Sequence, residues 1–372
     1  MRNKKGVNQF VIIFLIILFG FGYGQNVRAE GLETHNNSEI KKVNPEGKKL
    51  EIGKLIIEHI TDAYDWHILS MGKHHVTVPL PVILYDQGHW VTFWSSEFHH
   101  HTVYKGYTIA EKGINQGKIV RIDKAGNLVR PQLDISITRT IAALMVNSLL
   151  VVILLLSVAK SYRRRKGMAP KGLQSAFEPL IIFVRDEIAL SSIGEKNYER
   201  YTPYLLTLFF FIFFNNLLGI IPFFPWGVSV NGNIAITGVM AAFTFVITTF
   251  IGNKHYWKDI FNTPGVPWWL KLPFPLLPLV EVVGIFTKPI VLMIRLFANM
   301  ISGHTVIMGF VALIFIFGKI SMGLGYGVSV VSIGFSVFLD FIEILVAFIQ
   351  AYVFVLLTAL YFGMAIEVPE HH

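Results

Sequence analysis

Glu281, Lys288 and Arg295 stand at intervals of seven inside a stretch, 274–318, that is otherwise almost wholly apolar. On a helix these three fall within about 40° of one another, and Asn299, four residues past Arg295, extends the same stripe. The next apolar block, 328–366, repeats the device with Ser329, Ser332, Ser336, Asp340, Glu343 and Gln350 spaced at three, four or seven. An ionised side chain at the centre of a bilayer costs about 2.5–3.5 kcal/mol on insertion scales, so charges kept at such spacing imply a use. Two carboxylates one turn apart cannot both ionise easily in a low dielectric, which suits Asp340 and Glu343 to passing protons. His304 is the only histidine inside an apolar block, and imidazole takes and releases protons near neutrality. These groups could instead pair as glue between helices. Stability alone, however, is better served by apolar packing, and an Arg, a Lys, a His and three carboxylates in two neighbouring segments favour an ion path.

The elements that hold these residues follow from length. Apolar blocks occupy 141–159, 203–222, 234–251, 274–318 and 328–366, and about 20 helical residues span the hydrocarbon core. The chain is therefore expected to be an all-α polytopic membrane protein with about five membrane helices. The last two blocks are too long for an upright span and lack a polar turn at which to fold back. Each is expected to be one long inclined helix, the two joined in a hairpin by the turn at Gly323, Gly325 and Gly327. Between the first and second blocks, Phe177, Leu180, Ile181, Val184 and Ile188 recur at helical spacing opposite Glu178, Arg185, Asp186 and Glu187, which describes an amphipathic interfacial helix.

Charge sets the orientation. Lys160, Arg163, Arg164, Arg165, Lys166 and Lys171 follow the first block, and the positive-inside rule places them in the cytoplasm. Lys254, Lys258 and Lys271, with Trp257, Trp268 and Trp269, fall on the same side, as does the tail with Glu367, Glu370, His371 and His372. The excess of basic residues behind the net charge of +8 is thus an orientation signal, and no nucleic acid is expected as a partner. No internal repeat of the kind common in transporters is visible.

Residues 1–29, with Arg2, Lys4 and Lys5 ahead of an apolar run and Val27-Arg28-Ala29 after it, read as a signal peptide; a retained anchor is the alternative. Residues 30–138 are polar and partly alternating, which predicts a small, partly β, extracytoplasmic domain, with 139–372 as the membrane domain. His35, His59, His67, His74, His75, His89 and His99-His100-His101 make a metal site or proton-collecting surface conceivable. No HExxH spacing occurs, so solvated surface histidines are the favoured reading. The sequence contains no cysteine, which excludes disulfides and thiolate chemistry.

Four motifs carry a resemblance: Asn216-Leu217-Leu218-Gly219-Ile220-Ile221-Pro222, Lys288-Pro289, Arg295-Leu296-Phe297-Ala298-Asn299-Met300 and Gln350-Ala351-Tyr352-Val353-Phe354. In these, over about 175–370, the chain resembles subunit a of the F-type ATP synthases. The resemblance implies a membrane stator that offers two aqueous half-channels to a ring of c subunits and so couples proton flow to ATP synthesis. The b subunits of the peripheral stalk, the rest of the synthase and membrane lipid would be its other partners, in a bacterial inner membrane.

It also implies that Arg295, with Asn299 beside it, separates the half-channels. A guanidinium keeps its charge in a protein and favours the ionised form of each passing ring carboxylate. His304 and Glu343 match the protonatable pair of the outer half-channel, with the order found in mitochondrial members rather than in many bacterial ones. Glu281 matches an acidic position of the inner half-channel, while Asp340 departs from the family pattern. Lys288, Asn216 and Pro222 are motif residues expected to be structural. The segment 30–138 has no counterpart in the familiar members.

No P-loop is present, and Gly323-Leu324-Gly325-Tyr326-Gly327 follows no predicted strand, so no nucleotide, other cofactor or catalytic site is expected. A stand-alone cation transporter is the alternative reading. An intramembrane hydrolase lacks the HExxH or GxSxG it would need.

Overall fold

The computed structural model describes residues 62–71, 74–100, 103–110, 113–123, 126–221, 227–261 and 276–367. The expected signal peptide, Pro222, Trp268, Trp269, Lys271, His35, His59, His101 and the end of the tail lie outside the described residues.

The first part is β-rich. Strands β1 (Asp65–Met71) and β2 (His74–Pro79) form an antiparallel pair. Strand β3 (Pro81–Asp86) lies between β4 (His89–Trp94) and, after the short helix α1 (Glu97–His100) and β5 to β7, β8 (Leu133–Asp134). The third sheet is the meander of β5 (Tyr107–Ile109), β6 (Ile119–Ile122) and β7 (Leu128–Val129). Alternation works as the pattern predicts: Val82 and Leu84 of β3 are fully buried and pack with Tyr64, Phe93, Tyr107 and Ile119. The β3–β4 hairpin closes through Gln87 and Gly88, both at positive φ (50° and 81°), the geometry of a two-residue turn that matches the strand twist.

Helix α2 (Arg139–Arg164) leads into α3 (Leu173–Phe183), a π-helical stretch (Val184–Leu190) and the single turn α4 (Ser191–Ile193). Then follow α5 (Tyr198–Ile220), α6 (Ile234–Ile251), α7 (Lys254–Phe261), and the two 45-residue helices α8 (Leu276–Ile320) and α9 (Met322–Ile366). Five of these, α2, α5, α6, α8 and α9, are long and apolar enough to cross a membrane, in line with the expected polytopic all-α architecture. At 1.5 Å per residue α8 and α9 each run about 68 Å, more than twice the hydrocarbon core.

Helix α5 is the centre of the membrane core. Its Phe209, Phe210, Phe211 and Ile212 are buried, and Phe209 and Phe213 pack edge-to-face against Phe348 of α9. On α9, Ala347, Ala351, Val355 and Ala359 recur every four residues and are fully buried, small enough for the helix to lie close to its neighbours. The stretch predicted as amphipathic does bury Phe177, Val184 and Ile188, and the turn after it sits so near α9 that a β-carbon at Gly363 would collide with the Ser192 carbonyl oxygen.

The hairpin turn differs from expectation. Only Ser321 separates α8 from α9, and Gly323, Gly325 and Gly327 are already helical. Of the three, Gly325 has a steric use: a β-carbon there would stand 2.7 Å from the Cα of Gly318, so the two backbones touch just past the turn.

Candidate functional site

Helix α8 buries one face through Leu292, Leu296 and Met300, each four residues after the last and 1% exposed. That rotation leaves Arg295 and Asn299 on the outer face beside the exposed side chains of Val291 and Ile294. Among the described residues Arg295 has no ion-pair or hydrogen-bond partner. Glu281 is also exposed, with Tyr256 of α7 within electrostatic reach. Lys288 is half-buried and holds its Nζ 5.4 Å from the centre of the Tyr361 ring, and Tyr361 in turn feels the charge of Arg295.

Nine residues beyond Arg295, about 14 Å along the helix, His304 meets Glu343 of α9. Nδ1 and Oε1 are 2.7 Å apart, and Glu343 is only 6% exposed. Gly303 makes the approach possible, since a β-carbon there would lie 2.9 Å from Glu343 Oε1. The second carboxylate oxygen of Glu343 is buried without a partner among the described residues, as is the Ser336 hydroxyl, and such groups call for water or a proton donor. Asp340, half-buried one turn before Glu343, lies within electrostatic reach of Glu343 and His304. Gln350 is buried two turns further on.

Two cavities flank Arg295. One, of about 410 Å³, is lined by Arg139, Thr140, Gly227, Ser229, Met300 and His304, among others. It lies on the side where α2 begins and α5 ends. The other, of about 350 Å³, is lined by Thr244, Thr248, Tyr256, Lys288 and Tyr361, among others, where α6 and α9 end together. The closure of that end is marked by Asn253, whose backbone N–H and side-chain amide donate to the carbonyls of Ala365 and Glu367.

The comparisons with known proteins bear on this arrangement directly. A model of the family described as ATP synthase A chain matches residues 142–363. The chain belongs to that family. Curated relatives named ATP synthase subunit a agree: one from Myxococcus xanthus is 40% identical over 246 residues, covering 64% of this chain and 76% of the relative. One from Chloroherpeton thalassium is 38% identical over 245 residues, covering 64% and 69%. One from Anaeromyxobacter dehalogenans is 36% identical over 306 residues, covering 77% and 74%. The chain is thus a multi-pass membrane subunit of the ATP synthase, and the stand-alone transporter reading is not favoured.

A second family model, a domain of unknown function (DUF8433), matches residues 55–138. The Anaeromyxobacter alignment covers more of the chain than 139–372 can supply, so at least one ATP synthase A chain relative has sequence similar to part of this preceding segment. The expectation of no counterpart is corrected accordingly.

Of the residues singled out in the sequence, the structure brings His304, Glu343 and Asp340 together as one group, and sets Lys288 against Tyr361, which the sequence did not single out. Asn216 lies elsewhere, fully buried, where its side-chain oxygen accepts from the Asn231 amide at 2.6 Å. The neighbouring Asn215 accepts from Asn147 of α2, so this part of the motif fastens α2, α5 and the loop before α6. Sequence reasoning missed Tyr361, Gly303 and Asn231. Asn231 had a visible signal as an amide between two apolar blocks, whereas Gly303 had none. Among the described residues no three His, Asp or Glu side chains gather as metal ligands.

Proposed function

We propose that this proton-translocating stator subunit uses Arg295 as the charge barrier between two half-channels, and that the rotor it faces is a ring of c subunits. The observation that carries the reading is the placement of Arg295: an exposed cation in the apolar outer face of α8, without an ion-pair or hydrogen-bond partner among the described residues, with one cavity before it and one after it along the helix. Left against lipid, such a charge costs about 2.5–3.5 kcal/mol or more. A carboxylate on a second apolar surface removes that cost, and the exposed Phe338, Phe341 and Leu345 of α9 extend the face such a surface would meet.

In this scheme a proton reaches a ring carboxylate through the cavity at His304 and Glu343, which hold it between imidazole and carboxylate. The ring turns, and the proton leaves past Glu281 and Lys288 through the cavity at Tyr361. Arg295 favours the ionised form of the carboxylate that passes it, and Asn299 offers an amide to the same group. A proton therefore cannot cross directly. The membrane potential, worth about 2.3 kcal/mol per charge per 100 mV, drives rotation instead. Asp340 tunes the His304–Glu343 pair, and Gln350 lies on the same helix at the inner side of that pair.

The subunit has no catalytic site of its own, and the b subunits of the stalk hold it against the rotor. The bacterial inner membrane is its place, with a cleaved signal at 1–29, the domain 30–138 outside, the membrane domain 139–372, and the basic loop after α2 in the cytoplasm.

Arg295→Ala tests the scheme in inverted vesicles. Coupled proton pumping and ATP synthesis should vanish while the complex still assembles. Pumping at wild-type levels would overturn the role of Arg295.

A further inference from the structure

The β domain is physically continuous with the cavity beside His304. The first turn of α2 is held by that domain: Asp62 Oδ1 accepts from both the backbone N–H and the hydroxyl of Thr140, at 3.0 and 2.8 Å. The Arg139 N–H donates to the carbonyl oxygen of Ala63 at 2.7 Å. Trp66 and Leu80 of the domain join the same apolar cluster as Leu144 and Val151 of α2. Arg139 and Thr140, so anchored, line the 410 Å³ cavity with Ser229 and His304.

Three polar features show that this cavity is built for more than packing. The Ser229 hydroxyl on its wall is buried without a partner among the described residues, as is that of Thr138 next to the lining residue Arg139, which calls for water. A β-carbon on Gly232 would stand 2.7 Å from Ser229 Oγ, so glycine leaves that hydroxyl its place on the wall. The third feature is charge. Arg139 would repel a cation on its way to His304, but the carboxylates of Asp62 and Asp65 lie within electrostatic reach of it.

We propose that the β domain forms the mouth of the proton path to His304 and Glu343, with Asp62 and Asp65 offsetting the charge of Arg139 across a water-filled vestibule lined by Thr140 and Ser229. This rests on the proton path proposed above. Asp62 and Asp65 are positioning and charge-setting residues; they do not bind the transported proton. The domain thereby acts on the rate of proton delivery without touching the rotor.

The magnitude follows from Coulomb's law: one unit charge at about 9 Å changes a proton's local population about twofold in water and about twentyfold at an effective dielectric of 20. A wet mouth falls toward the lower figure.

The test uses the assembled complex in vesicles stripped of the soluble head, with passive proton conduction as the readout. Asp62→Asn keeps the oxygen that caps α2, since Asn caps as well as Asp does, and removes only charge. It should lower conduction about threefold at low salt, and the deficit should shrink as salt rises toward 0.5 M. Adding Arg139→Gln should restore conduction to near the wild-type level. Normal conduction in Asp62→Asn, or a deficit that neither salt nor Arg139→Gln relieves, overturns the charged mouth. Glu343→Gln separates the two readings: if it conducts normally, the underlying path through His304 and Glu343 fails. If it blocks conduction, the Asp62 and Arg139 results judge the mouth alone.

Discussion

Gly303→Ala exposes the geometry of the protonatable pair to measurement. The new β-carbon would sit 2.9 Å from Glu343 Oε1 and 3.2 Å from Cδ, against about 3.5 Å or more for ordinary contact. The carboxylate is the free end of a side chain, so it can yield by about half an ångström while the helices stay in place. Yielding has a price in function, because Oε1 is the atom bonded to His304 Nδ1 at 2.7 Å. A hydrogen bond to a charged group contributes about 1.5–3 kcal/mol, which is roughly ten- to hundredfold in the population of the paired state. The backbone effect runs the other way, since alanine in a helix is favoured over glycine by about 1 kcal/mol.

The two effects predict a dissociation of stability from function: complex yield and thermal stability within about 1 kcal/mol of wild type, with ATP-driven proton pumping in inverted vesicles reduced about tenfold. Gly309→Ala on the same helix is the control. Nothing lies within 4 Å of a β-carbon there, so it should pump normally. Wild-type pumping in Gly303→Ala, with the complex fully assembled, would refute a proton path that depends on the His304–Glu343 contact.

Gly325→Ala meets the backbone of Gly318 rather than a movable side chain, so it should splay the hairpin at a cost of roughly 1–3 kcal/mol and reduce assembled complex on native gels; unchanged yield would mean the helices part without cost. In the β domain, burial and then the neighbouring Asp134 carboxylate, to which the hydroxyl donates at 2.7 Å, push the Tyr64 phenol above its ordinary value. The folded state therefore holds that proton more tightly than the unfolded chain, and the stabilisation is complete below about pH 10 and lost as pH rises toward the folded value. Tryptophan fluorescence of the intact complex between pH 9 and 12 should show a shallower alkaline loss in Tyr64→Phe than in wild type, and identical slopes would count against the linkage.

The number of spans and the identity of the charged residues were legible in the sequence because both rest on local pattern. A run of about 20 apolar residues needs no partner to be recognised as a span, and a charge inside it stands out at once. Distances between helices are different in kind. His304 and Glu343 are 39 residues apart, and neither the role of Gly303 nor the touching of Gly318 and Gly325 exists until α8 and α9 are packed. Gly323, Gly325 and Gly327 were read as loop residues because glycine is usually that, whereas here all three are helical and Gly325 permits backbone contact with Gly318. Arg139 was not singled out in the sequence. Only its N–H donating to the Ala63 carbonyl, next to Thr140 bonded to Asp62, reveals that it closes the seam with the β domain.

The packing of α9 fits the proposal that a fixed charge serves a moving surface. From Glu343 to Ala365 the helix is buried at Ala347, Ala351, Val355, Ala359 and Phe362, whereas its first half exposes Val330, Ile333, Phe335, Phe338 and Phe341. One half is thus anchored and the other offers an apolar face. Helix α8 shows the same division around its circumference, with Leu292, Leu296 and Met300 inside and Arg295 outside. The ionisable groups lie along this seam. A charge rooted in the packed side keeps its position, because each buried residue beneath it resists displacement at van der Waals density. A charge on the open side can still meet a carboxylate that arrives from elsewhere. In the proposed scheme, an Arg295 set on the loosely held half of α9 instead would be dragged by a passing ring, and the proposed barrier would move with the rotor it is meant to oppose.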